Sequence, residues 1–172
     1  MYREFKRDPK RQGWNTMEIV FALIITGIMM AAILPRYSDS KKTVESQAFA
    51  ERAVDLTSSV QDRFQGQGNF AGLTDAVAIN ANAVPQKWVS GSSISTTFGG
   101  AVNLTPISSN SQFRVTFNNV PEALASTLLN YTGVGWIGMT INGTSIPLDG
   151  NSVAAASGAL TNSNTIAITV GR

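Results

Sequence analysis

Cysteine and histidine are both absent from the 172 residues. Without cysteine there is no disulfide framework and no thiolate site from which to read a compartment or a redox chemistry. Without histidine the commonest general base and metal ligand is missing. Charge is scarce as well, at 14% of the chain against 43% hydrophobic residues. No paired carboxylates at a readable spacing and no glycine-rich phosphate loop stand out, and the many serines have no visible activating base. An enzyme is therefore not expected, and neither is a cofactor or a bound metal. There is no evident internal repeat. The length supports one modest globular domain plus one further long element, not a two-domain enzyme.

The charge that is present is unevenly placed. A net charge of +2 and a pI near 9.2 hint at an anionic partner. However, Arg3, Lys6, Arg7, Lys10 and Arg11 outweigh Glu4 and Asp8, so residues 1–13 carry +3 and everything after Gly13 sums to −1. Once those first residues are set aside the remainder is close to neutral, and nucleic-acid binding is not expected.

Three further segments follow, each with its own physics. Residues 14–35 open with the apolar run WNTMEIVFALIITGIMMAAIL, which at ~1.5 Å per residue spans roughly the 30 Å core of a bilayer. Its one charge is Glu18. The basic residues in front of it place the N-terminus in the cytoplasm by the positive-inside rule, so the C-terminal bulk is exported. A conventional secretory signal would end in a small-residue cleavage site after a shorter apolar run, and MMAAILP offers none.

Residues 36–64 contain no glycine or proline and repeat apolar side chains at Phe49, Ala53, Leu56, Val60 and Phe64, which defines one face of an amphipathic helix. Five positive and five negative side chains in the same stretch form a solvated outer face. Gly27 and Pro35 both weaken helix, and a kink or locally melted turn is expected at the proline.

Residues 65–172 are nearly uncharged and rich in Gly, Ser, Thr and Asn, as in a strand-rich domain. A short helix is expected in FAGLTDAVAINANAVP with Thr74 as N-cap, followed by strands at Gly100–Ile107 and Gln112–Val120 joined by the turn SSNS. PEALASTLLN reads as a helix with proline in its first turn. Asn142-Gly143 between apolar runs signals a type I′ hairpin, and TIAITV is a final strand. A long helix followed by antiparallel strands predicts an α+β fold, with the Phe49 to Phe64 stripe as the helix side of the core.

The junction QG-WNTME ahead of an apolar run resembles the prepilin cleavage signature of the type IV pilins. The resemblance implies a leader, residues 1–13, cut between Gly13 and Trp14 by a prepilin peptidase, and N-methylation of Trp14. Glu18 takes the place of the acidic fifth mature residue, which in that family pairs with the N-terminal amine of a neighbouring subunit during assembly. Gly27 and Pro35 match the family's glycine and proline, where the helix unwinds in the filament. The implied partners are further copies of the chain, the peptidase, the inner-membrane assembly machinery and, before assembly, the membrane. The product is an extracellular pilus on the cell surface.

Trp14 in place of phenylalanine resembles the type IVb subclass, particularly thin-pilus pilins of the PilS type found with conjugative elements. That subclass usually carries a C-terminal disulfide, and here Ala125 and one alanine of VAAASG stand where the cysteines would be. A minor pilin or a type II secretion pseudopilin shares the leader and helix, but the calcium site of the latter needs carboxylates and only Asp149 follows Glu122. A membrane-tethered periplasmic binding domain would explain export and the anchor, but gives no reason for Glu18 beside such a junction. The sequons at Asn103, Asn130 and Asn142 read as incidental to a Thr-rich domain.

Overall fold

A computed structural model describes the backbone of residues 16–131, 133, 135–149 and 151–171, with the side chains of 32–42 outside the description. The chain divides into two compact units, Met1–Lys41 and Lys42–Arg172.

The first unit is represented by the opening part of α1 (Thr16–Phe64). The helical backbone continues through Gly27 and Pro35, so the melted turn expected there is not present in this subunit. Proline removes one N–H···O bond, and the turns on either side of it remain helical.

In the second unit the rest of α1 lies on a seven-stranded antiparallel sheet of order β1-β2-β3-β4-β7-β5-β6. The strands are β1 (Val89–Ser90), β2 (Ser93–Ser95), β3 (Ala101–Ile107), β4 (Gln112–Pro121), β5 (Trp136–Ile141), β6 (Thr144–Ile146) and β7 (Ser163–Val170). Three short helices decorate it: α2 (Asp75–Asn80), α3 (Glu122–Leu128) and α4 (Ser152–Ala156). The fold is α+β, as expected.

The helix stripe read from the sequence is the core. Phe49, Ala53, Leu56, Val60 and Phe64 are all buried, joined by Ala50 and by the polar Ser46 and Thr57. Full burial of a side chain such as Leu56 stabilises by about 1.5–3 kcal/mol. Phe49 centres an aromatic cluster, with ring centroids 5.4 Å from Phe98, 5.4 Å from Phe117 and 5.9 Å from Trp88. The two edge-on contacts with Phe98 and Phe117 are the geometry that ring quadrupoles favour. A second aromatic chain runs from Phe64 through Phe70 to Phe113.

Thr57 also carries a specific polar link, for its hydroxyl accepts a hydrogen bond from Trp136 Nε1 at 2.9 Å. Trp88 Nε1, buried in the same core, has no hydrogen-bond partner.

Local chemistry explains the remaining elements. α1 stops after Phe64, where a 3-10 turn leads to Gly68 in the left-handed region at φ 75°, a conformation that favours glycine. Thr74 caps α2 by accepting from Val77 N at 3.2 Å, and Asp75 Oδ1 accepts from Leu104 N at 2.7 Å, which ties α2 to β3. The SSNS turn holds Ser108, Ser109 and Asn110 at positive φ. It is held in place by Phe70 N donating to Asn110 O at 2.7 Å. Pro121 ends β4 and occupies the N-cap of α3, one step earlier than the first-turn position expected.

The Asn142-Gly143 turn has φ 52° and 84°, as a type I′ turn requires. Asn142 does more than turn the chain. Its Oδ1 accepts from Thr165 N at 2.8 Å and its Nδ2 donates to Asn164 Oδ1 at 2.9 Å. Asn164 is buried and donates in turn to Val120 O at 3.1 Å, so two asparagines lock the β5–β6 hairpin to β7 and to the end of β4. Ala125 in α3 is buried, and of the three alanines of VAAASG only Ala156 is buried, while Ala154 and Ala155 are exposed. Ser152 Oγ of α4 donates to Leu129 O, just past α3, at 3.4 Å.

Candidate assembly elements

The described side chains of the first unit have no apolar environment of their own. From residue 16 to residue 31 every position is exposed, including Met17, Phe21, Leu23, Ile28 and Met29 at 58–67%. A helix that is apolar on all sides needs a surrounding of lipid or of other protein. Thr26, a polar residue within the run, turns its hydroxyl back onto Ala22 O at 2.7 Å, so it can enter an apolar medium without a stranded donor. Among the described residues no helix is long and apolar enough to cross a membrane. The span expected from the sequence begins at Trp14 and ends at Leu34, and so extends beyond the described side chains at both ends.

Glu18 stands exposed in the first turn of α1, where the positive end of the helix macrodipole favours a carboxylate. Gly27 has no heavy atom within 4 Å of where a Cβ would lie. Nothing among the described residues therefore requires a glycine there. Gly13 and Trp14 lie outside the described residues, as does the side chain of Pro35.

Two features of the second unit could not be found from the sequence alone. The first is the Thr57–Trp136 link, between residues 79 positions apart. The second is an open groove of about 390 Å³ between α1, the loop after β2 and the start of α3, lined by Val44, Phe98 and Leu124 together with Glu45, Arg52 and Lys87. A separate cleft of about 420 Å³ lies between Asp55 and Asp62 of α1 and the 82–86 loop. Among the described residues no group of His, Asp or Glu is placed to hold a metal ion.

A helix stem with an exposed apolar beginning and a first-turn glutamate, continuing into an α+β head built on its second half, is the arrangement that defines the type IV pilins. The family model described as PilS N terminal matches residues 44–171. The chain belongs to that family and is a pilin of the type IVb kind. It is similar to the major structural subunit of bundle-forming pilus of Escherichia coli O127:H6 (strain E2348/69 / EPEC), with 26% identity over 161 residues, 87% of this chain and 83% of that protein. The like-named protein of Escherichia coli O111:H- is 26% identical over 104 residues, 59% of this chain and 54% of its own.

Proposed function

We infer that the chain is a structural subunit of a type IV pilus, made as a membrane-held precursor and polymerised into an extracellular filament. The observation that carries this reading is the exposed apolar helix over residues 16–31, with a carboxylate in its first turn, ahead of a head domain of the PilS family. In the precursor, residues 1–13 form a basic leader and 14–35 the membrane helix. A cytoplasm-facing prepilin peptidase cuts between Gly13 and Trp14, and Trp14 is then N-methylated.

Cleavage creates an amine close in sequence to Glu18. A carboxylate at the centre of an apolar span costs ~2.5 to 3.5 kcal/mol, less near its end, and a cationic partner from a neighbouring copy offsets that cost. The pairing is satisfied only when two subunits are in register, so Glu18 acts as a check on assembly. Gly27 and Pro35 supply the weak section of helix that lets a subunit adjust as it leaves the inner membrane through the assembly machinery. Residues 36–64 form the stem and 65–172 the head, which faces outward.

Glu18→Ala tests the reading directly. The variant should remain folded, processed and membrane-resident while sheared filaments fall to a small fraction of the wild-type yield. Normal piliation in Glu18→Ala would remove the basis for the proposed pairing.

A further inference from the structure

The chain contains a single Asn-Gly step, Asn142-Gly143, and it forms the tip of the β5–β6 hairpin. Such a step is chemically labile, because glycine has no side chain to shield its backbone nitrogen from the carboxamide one residue before it. In the folded head that carboxamide is held at both ends. Its Oδ1 accepts from Thr165 N at 2.8 Å, while Nδ2 donates to Ala159 O at 2.8 Å and to Asn164 Oδ1 at 2.9 Å. The backbone is tied to β7 as well, with Asn142 N donating to Thr165 O at 2.8 Å. For an exposed residue this is more restraint than the turn needs, since positive φ at both positions and the Ile141–Thr144 pairing already close it.

We propose that Asn142-Gly143 is a deamidation site guarded by the fold, and that opening of the β5–β6 hairpin converts it into an irreversible lesion of the head. The reaction needs only water. Gly143 N attacks Asn142 Cγ, an N–Cγ bond forms, the Cγ–Nδ2 bond breaks, and Nδ2 leaves as ammonia with the proton that Gly143 N gives up. Water then opens the cyclic imide at one of its two carbonyls. The product is either aspartate or an isoaspartate whose backbone runs through Cβ and Cγ.

Two features of the hairpin oppose the first step. A type I′ turn holds ψ of its first central residue at about 30°, and bringing Gly143 N against Cγ requires rotation about that bond, which breaks the Ile141–Thr144 pairing. Cγ must also swing away from β7, which breaks the bonds to Thr165 N, Ala159 O and Asn164 Oδ1 together. Reaction therefore proceeds from the fraction of molecules whose hairpin is open.

Either product prevents the hairpin from closing as before. An ionised carboxylate has no hydrogen to donate, so aspartate sets an oxygen against two acceptors, Ala159 O and Asn164 Oδ1. Isoaspartate lengthens the turn by one backbone atom, against the Met139–Ile146 register that buries both side chains. The inference concerns the head alone and stands apart from the pilus reading.

Purified full-length protein in mild detergent is held in mildly alkaline buffer with and without denaturing urea, and peptide mapping by mass spectrometry follows conversion at Asn142. The native rate should be at least ~10-fold below the rate in urea, the factor for a hairpin whose opening costs about 1.4 kcal/mol or more. Equal rates would overturn the proposed guard. Asn164→Ala, which removes one acceptor of Asn142 Nδ2, should raise the native rate several-fold and leave the rate in urea unchanged. An unchanged native rate in the folded variant would overturn the role of the lock. Should Asn164→Ala not fold, the wild type decides in urea below its unfolding transition, where conversion should already rise. Conversion that rises only with global unfolding would overturn hairpin opening as the admitting step. Asn142→Asp, the product made directly, should have a lower urea midpoint than Asn142→Ala, and a midpoint at or above that of Asn142→Ala would overturn the lesion.

Discussion

Removing the Thr57 hydroxyl should show how much of the head's stability depends on one buried bond between α1 and β5. Thr57→Val keeps the shape and deletes the acceptor that Trp136 Nε1 uses at 2.9 Å. Thr57 is fully buried and Trp136 nearly so, so water cannot replace the lost partner. A buried donor left in that condition costs about 1–3 kcal/mol, and a penalty in that range is expected.

The molecule supplies its own control. Trp88 is just as deeply buried, but its indole N–H already lacks a partner. Trp88→Phe should therefore lose packing, offset in part by removal of that orphaned donor, and a second Thr57→Val substitution should add to it independently. Trp136→Phe, by contrast, should cost about 1 kcal/mol less in the Thr57→Val background than in the wild type, because it then removes an orphaned donor. Urea titration of the full chain in mild detergent, followed by circular dichroism, measures all four corners of this cycle. A Thr57→Val cost below about 0.5 kcal/mol, or strict additivity with Trp136→Phe, would refute the argument.

Further expectations follow from other parts of the molecule. Gly133→Ala should destabilise the head by about 1–3 kcal/mol, read as a lower urea midpoint, since a Cβ there would overlap the Trp136 indole. Asn142→Ala should also destabilise the head, by about 1 kcal/mol, because Thr165 N and Asn164 Oδ1 each lose one hydrogen bond of the hairpin lock. Intact-mass analysis of the mature subunit should find Trp14 at the N-terminus, methylated; an N-terminus beyond Leu34 would rule out the leader reading. Filaments should loosen only modestly in high salt, which screens exposed pairs within about 8 to 10 Å, but dissociate in mild detergent. Survival in detergent with collapse in salt would mean that cohesion lies in the charged stem.

Elements built from local signals were legible in the chain. The stripe from Phe49 to Phe64 announced its buried face through spacing alone, because a helix face is a matter of period. Asn142-Gly143, the SSNS turn and the Thr74 cap were readable for the same reason, each being decided within a few residues. β1 and β2, only two and three residues long, are too short to show a period, and α4 drew notice only as alanines where the type IVb subclass usually carries a cysteine. The place of β7 depends on partners dozens of residues away, which no local pattern encodes. The same is true of the Thr57–Trp136 bond and of the groove. The N-terminal assembly residues were legible by resemblance, from a junction whose Gly13 and Trp14 lie outside the described structure.

The position of β7 has a consequence for how the molecule is made. Its partners on either side are β4 and β5, so a strand that follows β5 and β6 along the chain is the one that joins the two halves of the sheet. Until residues 163–170 arrive, Phe113, Val115 and Phe117 of β4 face no neighbour on that side, and the β5–β6 hairpin has nothing to pair with but itself. A chain that stops before residue 163 is thus not a slightly weaker head but two separate fragments of sheet on one helix, each with an open edge prone to wrong pairing. Closure of the sheet therefore waits on residues 163–170, and only a chain that includes them presents a finished head.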